Sequence, residues 1–200
     1  MEIEAETEED EVADKVWDKV NWSLWLSLDS SRNELNIATG SNGRSTLMPV
    51  KKLKEFLDRE KIKYVSIVHS TAYTAQEVAA SAHITGRELA KTVIVELDGE
   101  MAMAVLPANR KIVLQDLREV TGSDKVKFAS EDEFKEKFPD CETGAMPPFG
   151  NLYRMDVYVA EALTNNDEIA FNAGSHTEVI RLAYKDFERL VKPKVLSFTT

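Results

Sequence analysis

Two glycine-containing stretches of the sequence have residue types that are typical of loops whose backbone contacts a ligand. One is Gly144-Ala145-Met146-Pro147-Pro148-Phe149-Gly150, in which two glycines bracket two prolines, and the other is Asn172-Ala173-Gly174-Ser175-His176. Rigid peptide groups in such loops can position a water molecule or stabilise the oxyanion of an ester, and losing one such donor costs about 2.7–4 kcal/mol of transition-state stabilisation. A purely structural turn is the alternative for each stretch.

Three further side chains have suitable chemistry, each with a structural alternative. Lys91 precedes an apolar run, and its ammonium could hold a phosphate or a carboxylate if it points into a cleft, or else be solvated. His176 could orient a substrate carbonyl or amine, and His69 ends a run that favours a strand. A surface position or a hydrogen-bonded structural role is the alternative for both histidines.

Metal catalysis and covalent catalysis find little support in the sequence. The three histidines and one cysteine are scattered without a short spacing that could place metal ligands together, so we predict no metal site. Cys141 has neither a nearby histidine nor a familiar nucleophile signature. The Walker and Rossmann phosphate-binding patterns do not occur either.

Charge is distributed unevenly along the chain. The formal charge is −10, and eight acids without a base lie in residues 1–14, which leaves −2 for residues 15–200. A nearly balanced body is compatible with a nucleic-acid ligand, whereas a strongly acidic one is not. Local basic clusters could meet a phosphate backbone or form solvated helix faces; they are Lys51, Lys52 and Lys54 with Arg59, Lys61 and Lys63, and Arg110 with Lys111.

The chain has the features of a cytoplasmic protein with an N-terminal extension. Its apolar runs fall far short of the roughly 20 residues that span a bilayer, and the acidic N-terminus lacks the basic and apolar regions of a secretory signal. Residues 1–47 hold an acidic run, all three tryptophans and a polar stretch that reads as a linker. We therefore predict an extension over residues 1–47 and a single domain over residues 48–200.

The remaining pattern predicts short helices and strands that interleave irregularly. Apolar residues recur at helical spacing after Pro49, and capping boxes at 74–77 and 130–133 open two further helices. Asp98-Gly99 joins two apolar runs, 91–97 and 100–106, in a tight type I′ hairpin. The mixture favours an α+β fold with a mixed sheet over a doubly wound parallel sheet. Further strands are expected at 64–69, 126–129, 156–160, 168–171 and 179–182, and further helices at 113–120 and 186–191.

The stretch from His69 to Leu182 resembles the YbaK family, which includes the editing domain inserted in bacterial prolyl-tRNA synthetases and its free-standing relatives. Gly144 and Pro148 fit the family's G-x-x-x-P loop, and the order and spacing of the other matching features agree. Those features are Thr74-Ala75-Gln76-Glu77-Val78-Ala79 leading to Leu89-Ala90-Lys91-Thr92, and Asn172-Ala173-Gly174.

This resemblance implies a mixed, largely antiparallel, barrel-like sheet flanked by helices, with a pocket between the glycine-containing loops. It also implies hydrolysis of the ester that joins a wrong amino acid to tRNA, without a cofactor. Lys91 matches a lysine that holds the tRNA end in relatives, while the backbone of the G-x-x-x-P loop positions the ester and water. The expected catalytic residues are Lys91, Gly144 and Pro148, and the expected substrate-binding residues are His69, Tyr73, Met146, Phe149, Gly174, Ser175 and His176.

The expected partner is the acceptor end of an aminoacyl-tRNA, and an aminoacyl-tRNA synthetase is a further candidate. Neither DNA nor a membrane is expected as a partner. The resemblance implies a small amino acid such as alanine, cysteine, serine or threonine, carried on tRNA-Pro or a related tRNA. Two alternatives stay open. One is a non-catalytic module of the same fold that binds tRNA or a synthetase, and the other is a hydrolase of small esters, which the nearly neutral body mildly favours.

Overall fold

The computed structural model describes residues 49–139 and 141–200. The extension predicted for residues 1–47 lies outside them, and its boundary with the domain stays a prediction. The described residues form five α-helices and eight strands. The helices α1–α5 are Pro49–Arg59, Ala75–Ser81, Leu114–Thr121, Glu131–Phe134 and Tyr184–Val191. The strands β1–β8 are Tyr64–Val68, Ala90–Leu97, Glu100–Pro107, Val126–Phe128, Asp156–Ala160, Glu168–Ser175, Glu178–Ala183 and Lys194–Leu196.

Local hydrogen bonds set where the short helices begin and end. Both capping boxes form, the first before α2 and the second before α4. Helix α4 has only four residues, because the chain tightens into a 3-10 turn over Lys135–Lys137. Helix α3 ends at Gly122, whose φ of 69° is left-handed. Within the described parts of the chain, no helix combines the length and the apolar character needed to cross a membrane.

The predicted hairpin is the centre of the larger sheet. Asp98 and Gly99 have φ angles of 51° and 91°, as a type I′ turn requires, and β2 and β3 pair antiparallel along their whole length. The five-stranded sheet has the order β4-β2-β3-β5-β8, and β5 pairs parallel with both β3 and β8. Strands β1, β7 and β6 form a second, antiparallel sheet. The fold is therefore α+β with mixed, largely antiparallel sheets, as predicted.

The barrel-like closure expected from the sequence is not found among the described strands. The two sheets share a single parallel bridge, between Leu89 just before β2 and Ala170 in β6. Closure would need a continuing ladder between β2 and β6. Beyond the bridge, however, the edge of β6 is taken by a loop, since Gly174 donates to Ala145 and Glu142 donates to Gly174. The strands separate at this point and leave a wedge between them.

The main core lies between the helices α1 and α5 and the two sheets. Phe149 stands at its centre, with its ring 5.5 Å from that of Phe171 and 5.7 Å from that of Phe187. Leu53 and Leu57 bury one face of α1 against the same cluster. Burying side chains of this size stabilises a fold by about 1.5–3 kcal/mol each. Phe149 belongs to the loop that contains Gly144, so its packing in the core anchors that loop.

Candidate active site

A small cleft opens where β2 and β6 separate. At the bridge between the sheets the amide of Ala170 donates to the carbonyl of Glu88 at 2.9 Å. The next residues of both strands form the walls of the cleft, whose volume is about 40 Å³. Residues from α2 and from the loop after residue 141 close its other sides. The lining residues are Tyr73, Ala75, Leu89, Ala90, Lys91, Thr92, Gly144, Met146 and Asn172.

The loop over the cleft is held by a β-bulge in β6. The pairing of β6 with β7 shifts its register between Asn172 and Ser175, and Gly174 within the bulge has a φ of 104°. This conformation turns the peptide groups of Gly174 towards the loop, where they exchange 2.9 Å hydrogen bonds with Glu142 and Ala145. The bulge therefore places the Gly144 backbone directly above the separated strands.

Gly144 offers a backbone donor at the cleft. Its φ of 85° is strained for any residue with a Cβ atom. Its amide lies 3.2 Å from Sδ of Met146, and both residues line the cleft. A thioether is a weak acceptor, so this N–H can exchange the sulfur for a stronger acceptor such as an ester oxygen. The Gly144 amide could therefore serve as one of the donors of an oxyanion hole.

Lys91 supplies the positive charge of the site. It lies near the start of β2, where its backbone pairs with Leu106 of β3, and its side chain is half-buried in the cleft wall. A compact ammonium at this position can hold a single phosphate or carboxylate oxygen. Lys91 and Gly144 therefore offer two complementary groups for a charged ester substrate.

Tyr73 forms the rim of the cleft and is half exposed. Its amide donates to Oε2 of Glu77 at 3.1 Å, and the amide of Thr74 donates to the same oxygen. These backbone donors lower the pKa of Glu77, with the bond from Thr74 as the largest cause. The Tyr73 ring lies 5.0 Å from the imidazole of His176. An exposed aromatic ring held in this way suits the stacking of a base.

His176 lies behind the cleft and braces the loop. It occupies the turn between β6 and β7 and is only 8% exposed. Its Nε2 donates to the carbonyl oxygen of Thr143 at 2.9 Å, and its carbonyl accepts from the amide of Ala72. His69 lies beside this turn, since its amide donates to Thr177 and its Nδ1 is 2.7 Å from the carbonyl of Ser70. Neither histidine lines the cleft.

The structure brings some of the predicted site residues together and separates others. Lys91, Gly144, Met146 and Tyr73 meet at the cleft, although they are far apart in the chain. Gly174, Ser175, His69 and His176 lie in the elements that support it. Pro148 and Phe149 are buried, and the ring of Phe149 packs among other aromatic rings of the core.

Thr92 and Asn172 were not among the predicted site residues. Both line the cleft, and neither Thr92 Oγ1 nor Asn172 Oδ1 has a hydrogen-bond partner among the described residues. They lie within one and two residues of the predicted Lys91 and Gly174, in segments that the motifs had already indicated. Only the meeting of β2 with β6 shows that these two residues line one cleft.

A metal centre has no candidate among residues 49–139 and 141–200, where no three His, Cys, Asp or Glu side chains gather. Cys141 lies away from the cleft, and its Sγ is 3.4 Å from the hydroxyl of Tyr153. The groups present at the cleft are an ammonium, backbone amides, the hydroxyls of Tyr73 and Thr92, the thioether of Met146 and a carboxamide.

Known proteins share this sequence pattern and this fold. Residues 69–190 match the aminoacyl-tRNA editing domain family, which is more than half of the chain. The prolyl-tRNA editing protein ProX of Acetoanaerobium sticklandii is 29% identical over 142 residues, or 68% of this chain and 86% of that protein. The multifunctional Ser/Thr-tRNA deacylase ProXp-y of Escherichia coli is 25% identical over 152 residues, or 74% of this chain and 90% of that protein.

A solved structure shows that the likeness extends to the fold. The crystal structure of a proposed trans-editing enzyme for prolyl-tRNA synthetase superposes with a TM-score of 0.66 at 18% identity, over 80% of this chain and 99% of that one. The family resemblance seen in the sequence is thus confirmed by comparisons of sequence and of structure. The chain belongs to the aminoacyl-tRNA editing domain family.

Proposed function

We propose that this member of the editing family removes a small amino acid from mischarged tRNA by hydrolysing its ester bond in the cleft between β2 and β6. Hydrolysis of mischarged aminoacyl-tRNA is the activity that the family match and the names of both curated relatives support. The observation that carries the proposal is the meeting of Lys91, Gly144 and Met146 at one cleft. These residues lie on three separate segments, and a structural role alone does not require them to converge.

The proposed chemistry needs positioning more than activation, because an aminoacyl ester is already reactive. A water oxygen attacks the ester carbon while the amide of Gly144 faces the oxygen on which negative charge develops. The bond from this carbon to the ribose oxygen then breaks, and the ribose oxygen takes up the proton that the attacking water releases, relayed by the neighbouring ribose hydroxyl. The products are a free amino acid and an uncharged tRNA, and no cofactor takes part.

Lys91 and Tyr73 would hold the end of the tRNA. The ammonium of Lys91 can pair with a phosphate of the terminal nucleotides, which orients the ester without entering the reaction. The exposed face of Tyr73, fixed by Glu77 and His176, can stack on the terminal base. Base stacking of this kind is worth about 1–3 kcal/mol. Together these contacts explain recognition of the acceptor end.

The substrate we propose is alanine, cysteine, serine or threonine on tRNA-Pro or a related tRNA. The cleft is small, at about 40 Å³, and this favours a small side chain over a large one. A synthetase distinguishes amino acids that differ by one methylene by only about 1–3 kcal/mol, so a second hydrolytic site is needed to remove errors. The names of the relatives, which refer to prolyl-tRNA and to Ser/Thr-tRNA, agree with this range.

Direct partners beyond tRNA are also proposals. An aminoacyl-tRNA synthetase is the natural candidate, since it releases the mischarged product, and a cytoplasmic location is part of the same proposal. Two of the basic side chains on α1 are engaged within the fold, because Lys54 pairs with Glu178 and Lys52 lies over the ring of Tyr153. The exposed basic side chains that are better suited to contact the tRNA backbone than Lys52 and Lys54 are Lys61, Lys63 and Arg110.

The domain assignment leads to a separate proposal. Residues 48–200 contain every residue assigned to the cleft, so we propose that they form the catalytic domain and that residues 1–47 are an accessory extension. A chain that begins at Met48 should then keep full deacylation activity. Loss of activity in a folded truncated chain would show that the extension contributes to catalysis or to tRNA binding.

The deciding experiment measures the release of alanine, cysteine, serine, threonine and proline from separately charged tRNA-Pro. Wild type and Lys91→Ala are compared side by side, and deacylated tRNA is added as a competitor. Lys91-dependent release of one or two amino acids, inhibited by deacylated tRNA, is expected. Hydrolysis of small esters that tRNA does not inhibit would favour a small-ester hydrolase. Tight tRNA binding with no release from any charged tRNA would favour a binding module.

A further inference from the structure

A carboxylate joins the loop over the cleft to the turn between β6 and β7. Oε2 of Glu142 accepts from the backbone amide of His176 at 2.5 Å. The amide of Glu142 also donates to the carbonyl of Gly174, and its carbonyl accepts from the amide of Ala145, both at 2.9 Å. Glu142 therefore contacts the turn through its side chain and its backbone, two residues before Gly144.

The carboxylate of Glu142 satisfies a donor that is otherwise unpaired. His176 is only 8% exposed, and within the described residues its amide has no acceptor besides Glu142. A buried amide without an acceptor carries the full cost of its desolvation, and a bond to an ionised acceptor is about twice as strong as one between neutral groups. The contact therefore fixes the His176 backbone, although Glu142 itself is exposed.

Two hydrogen bonds thus act on His176, one on its backbone and one on its ring. Glu142 holds the amide, and the imidazole Nε2 donates at 2.9 Å to the carbonyl of Thr143, the residue before Gly144. In the described part of the chain the Gly144 amide has the thioether of Met146 as its acceptor, at 3.2 Å. Because a thioether is a weak acceptor, the direction of this amide depends on the residues around it.

We infer that Glu142 is a positioning residue for the reaction, whose carboxylate holds His176 so that the Gly144 amide faces the ester. This inference rests on the proposed function and adds a residue to it. Glu142 does not line the cleft, so it contacts neither the ester nor the attacking water. Its effect appears in the transition state, because a misplacement of about 1 Å can lower a rate about 100-fold.

Two other roles of the carboxylate predict different results. A purely structural contact would lower the stability of the domain and leave the turnover of folded protein unchanged. An electrostatic role, in which an exposed negative charge repels the tRNA backbone, would depend on the charge of residue 142 and not on its reach. Substitutions that change charge and reach separately distinguish these roles from positioning.

The test measures kcat and KM with three variants of the full chain, Glu142→Ala, Glu142→Gln and Glu142→Asp. The substrates are alanine, serine and threonine charged separately on tRNA-Pro. Glutamine keeps an acceptor at the same reach without the charge, whereas aspartate keeps the charge but is shorter by one bond of about 1.5 Å.

We expect kcat to fall about tenfold in Glu142→Ala and Glu142→Asp, and to stay within about threefold of wild type in Glu142→Gln. The KM should change little in all three variants, because the carboxylate does not contact the substrate. Glu136→Ala is the matched control, since it removes an exposed carboxylate from the 3-10 turn outside the cleft. This control should keep the wild-type kcat and KM.

A double-mutant cycle with His176→Phe tests whether Glu142 acts through His176. The phenylalanine variant keeps the amide that Glu142 binds and loses the donor to Thr143. Glu142→Ala should therefore cost only about twofold in the His176→Phe background, compared with about tenfold in wild type. Two losses that multiply independently would overturn the inference.

Hydrogen exchange gives a measurement that does not depend on activity. The His176 amide should be protected in wild type and in Glu142→Gln, and it should exchange at least about tenfold faster in Glu142→Ala and Glu142→Asp. Equal exchange of this amide in wild type and Glu142→Ala would show that the carboxylate does not hold the turn, and it would overturn the inference.

The outcomes separate the inference from the proposed function. Wild-type hydrolysis with an unchanged kcat in Glu142→Ala overturns the inference alone, and a lower melting temperature in that variant would then assign the contact to the fold. Equal changes in Glu142→Ala and Glu142→Gln, with wild-type activity in Glu142→Asp, would show that only the charge matters and would also overturn it. If wild type releases no amino acid from any charged tRNA, the proposed function fails and the positioning role fails with it.

Discussion

His176 Nε2 donates a 2.9 Å hydrogen bond to the carbonyl oxygen of Thr143. This contact ties the β6–β7 turn to the residue before Gly144, and the same imidazole lies against the ring of Tyr73. Because a carbonyl oxygen only accepts, Nε2 must carry a proton. One buried ring therefore fixes both the loop over the cleft and the rim of the cleft.

Replacing His176 with phenylalanine should lower turnover by about tenfold, because the donor to Thr143 is lost while ring packing against Tyr73 is kept. The side chain does not line the cleft, so kcat should fall more than KM rises. The His176→Gln variant can still donate an N–H and should recover part of the loss. Steady-state deacylation kinetics measure both effects, and an equal loss in the two variants would contradict the role of this hydrogen bond.

Lys91→Ala should reduce deacylation by about 10- to 100-fold, as expected for the loss of a hydrogen bond to a charged group. The fold should remain intact, because the half-buried side chain of Lys91 is not part of the core. Lys91→Arg keeps the charge and serves as the matched control, with partial activity expected. Unchanged turnover in Lys91→Ala, at an unchanged melting temperature, would remove Lys91 from the site.

Gly144→Ala should be damaging through the backbone. A residue with a Cβ atom at a φ of 85° costs about 1–2 kcal/mol, although the nearest atom to that Cβ, His176 Cε1, is 3.7 Å away. If the strain turns the Gly144 amide away from the ester, kcat falls by about 100-fold.

Gly99→Ala is the matched control for this substitution. Gly99 has a φ of 91° in the β2–β3 turn, and no atom lies within 4 Å of its added Cβ. The two variants should lose similar stability in urea unfolding, but only Gly144→Ala should lose activity. Equal activity in both variants would show that the Gly144 amide takes no part in the reaction.

Cys141→Ser should change neither activity nor stability appreciably. Cys141 contacts the hydroxyl of Tyr153 away from the cleft, and a serine hydroxyl can keep that contact. We expect kcat/KM within about twofold of wild type and a change in unfolding free energy below about 1 kcal/mol. An inactive but folded Cys141→Ser variant would instead point to covalent catalysis by the thiol.

Glu77 should make the stability of the domain depend on pH in the acid range. Its pKa is lowered from the ordinary value of 4.5 by backbone donors, so its contribution is fully present above about pH 4.5 and is lost as pH falls through the lowered pKa. The Gln side chain of Glu77→Gln can still accept from the same backbone amides, so this variant should lose only the charge-dependent part of the contribution, less than about 1 kcal/mol at pH 7. Urea unfolding from pH 3 to pH 7 should show the two proteins converging at the acid end.

The helices and the hairpin could be predicted from the sequence because their determinants are local. The reciprocal bonds of Thr74 and Glu77 involve residues three apart, and the turn at Asp98-Gly99 depends on the two residues that form it. Strand β8 was missed, since its three residues carry no periodic pattern and acquire strand structure only by pairing with β5.

The candidate site was predictable in part, for the same reason. The G-x-x-x-P loop and the segment around Lys91 are recognisable as motifs, so the segments that form the cleft were found. The placement of individual side chains was not, because Phe149 follows Pro148 in the motif and yet packs in the core. Loop composition does not show which way a side chain points.

The sequence by itself determined the family, the local elements and the segments that meet at the cleft. Motifs and short-range hydrogen bonds depend on residues that are close together in the chain. Only the tertiary structure decided that the sheets do not close into a barrel and that Thr92 and Asn172 share one cleft. Both results depend on the single bridge between Leu89 and Ala170 and on the loop that takes the edge of β6 beyond it. Pairing between residues some 80 positions apart is a property of the whole fold, and no local pattern specifies it.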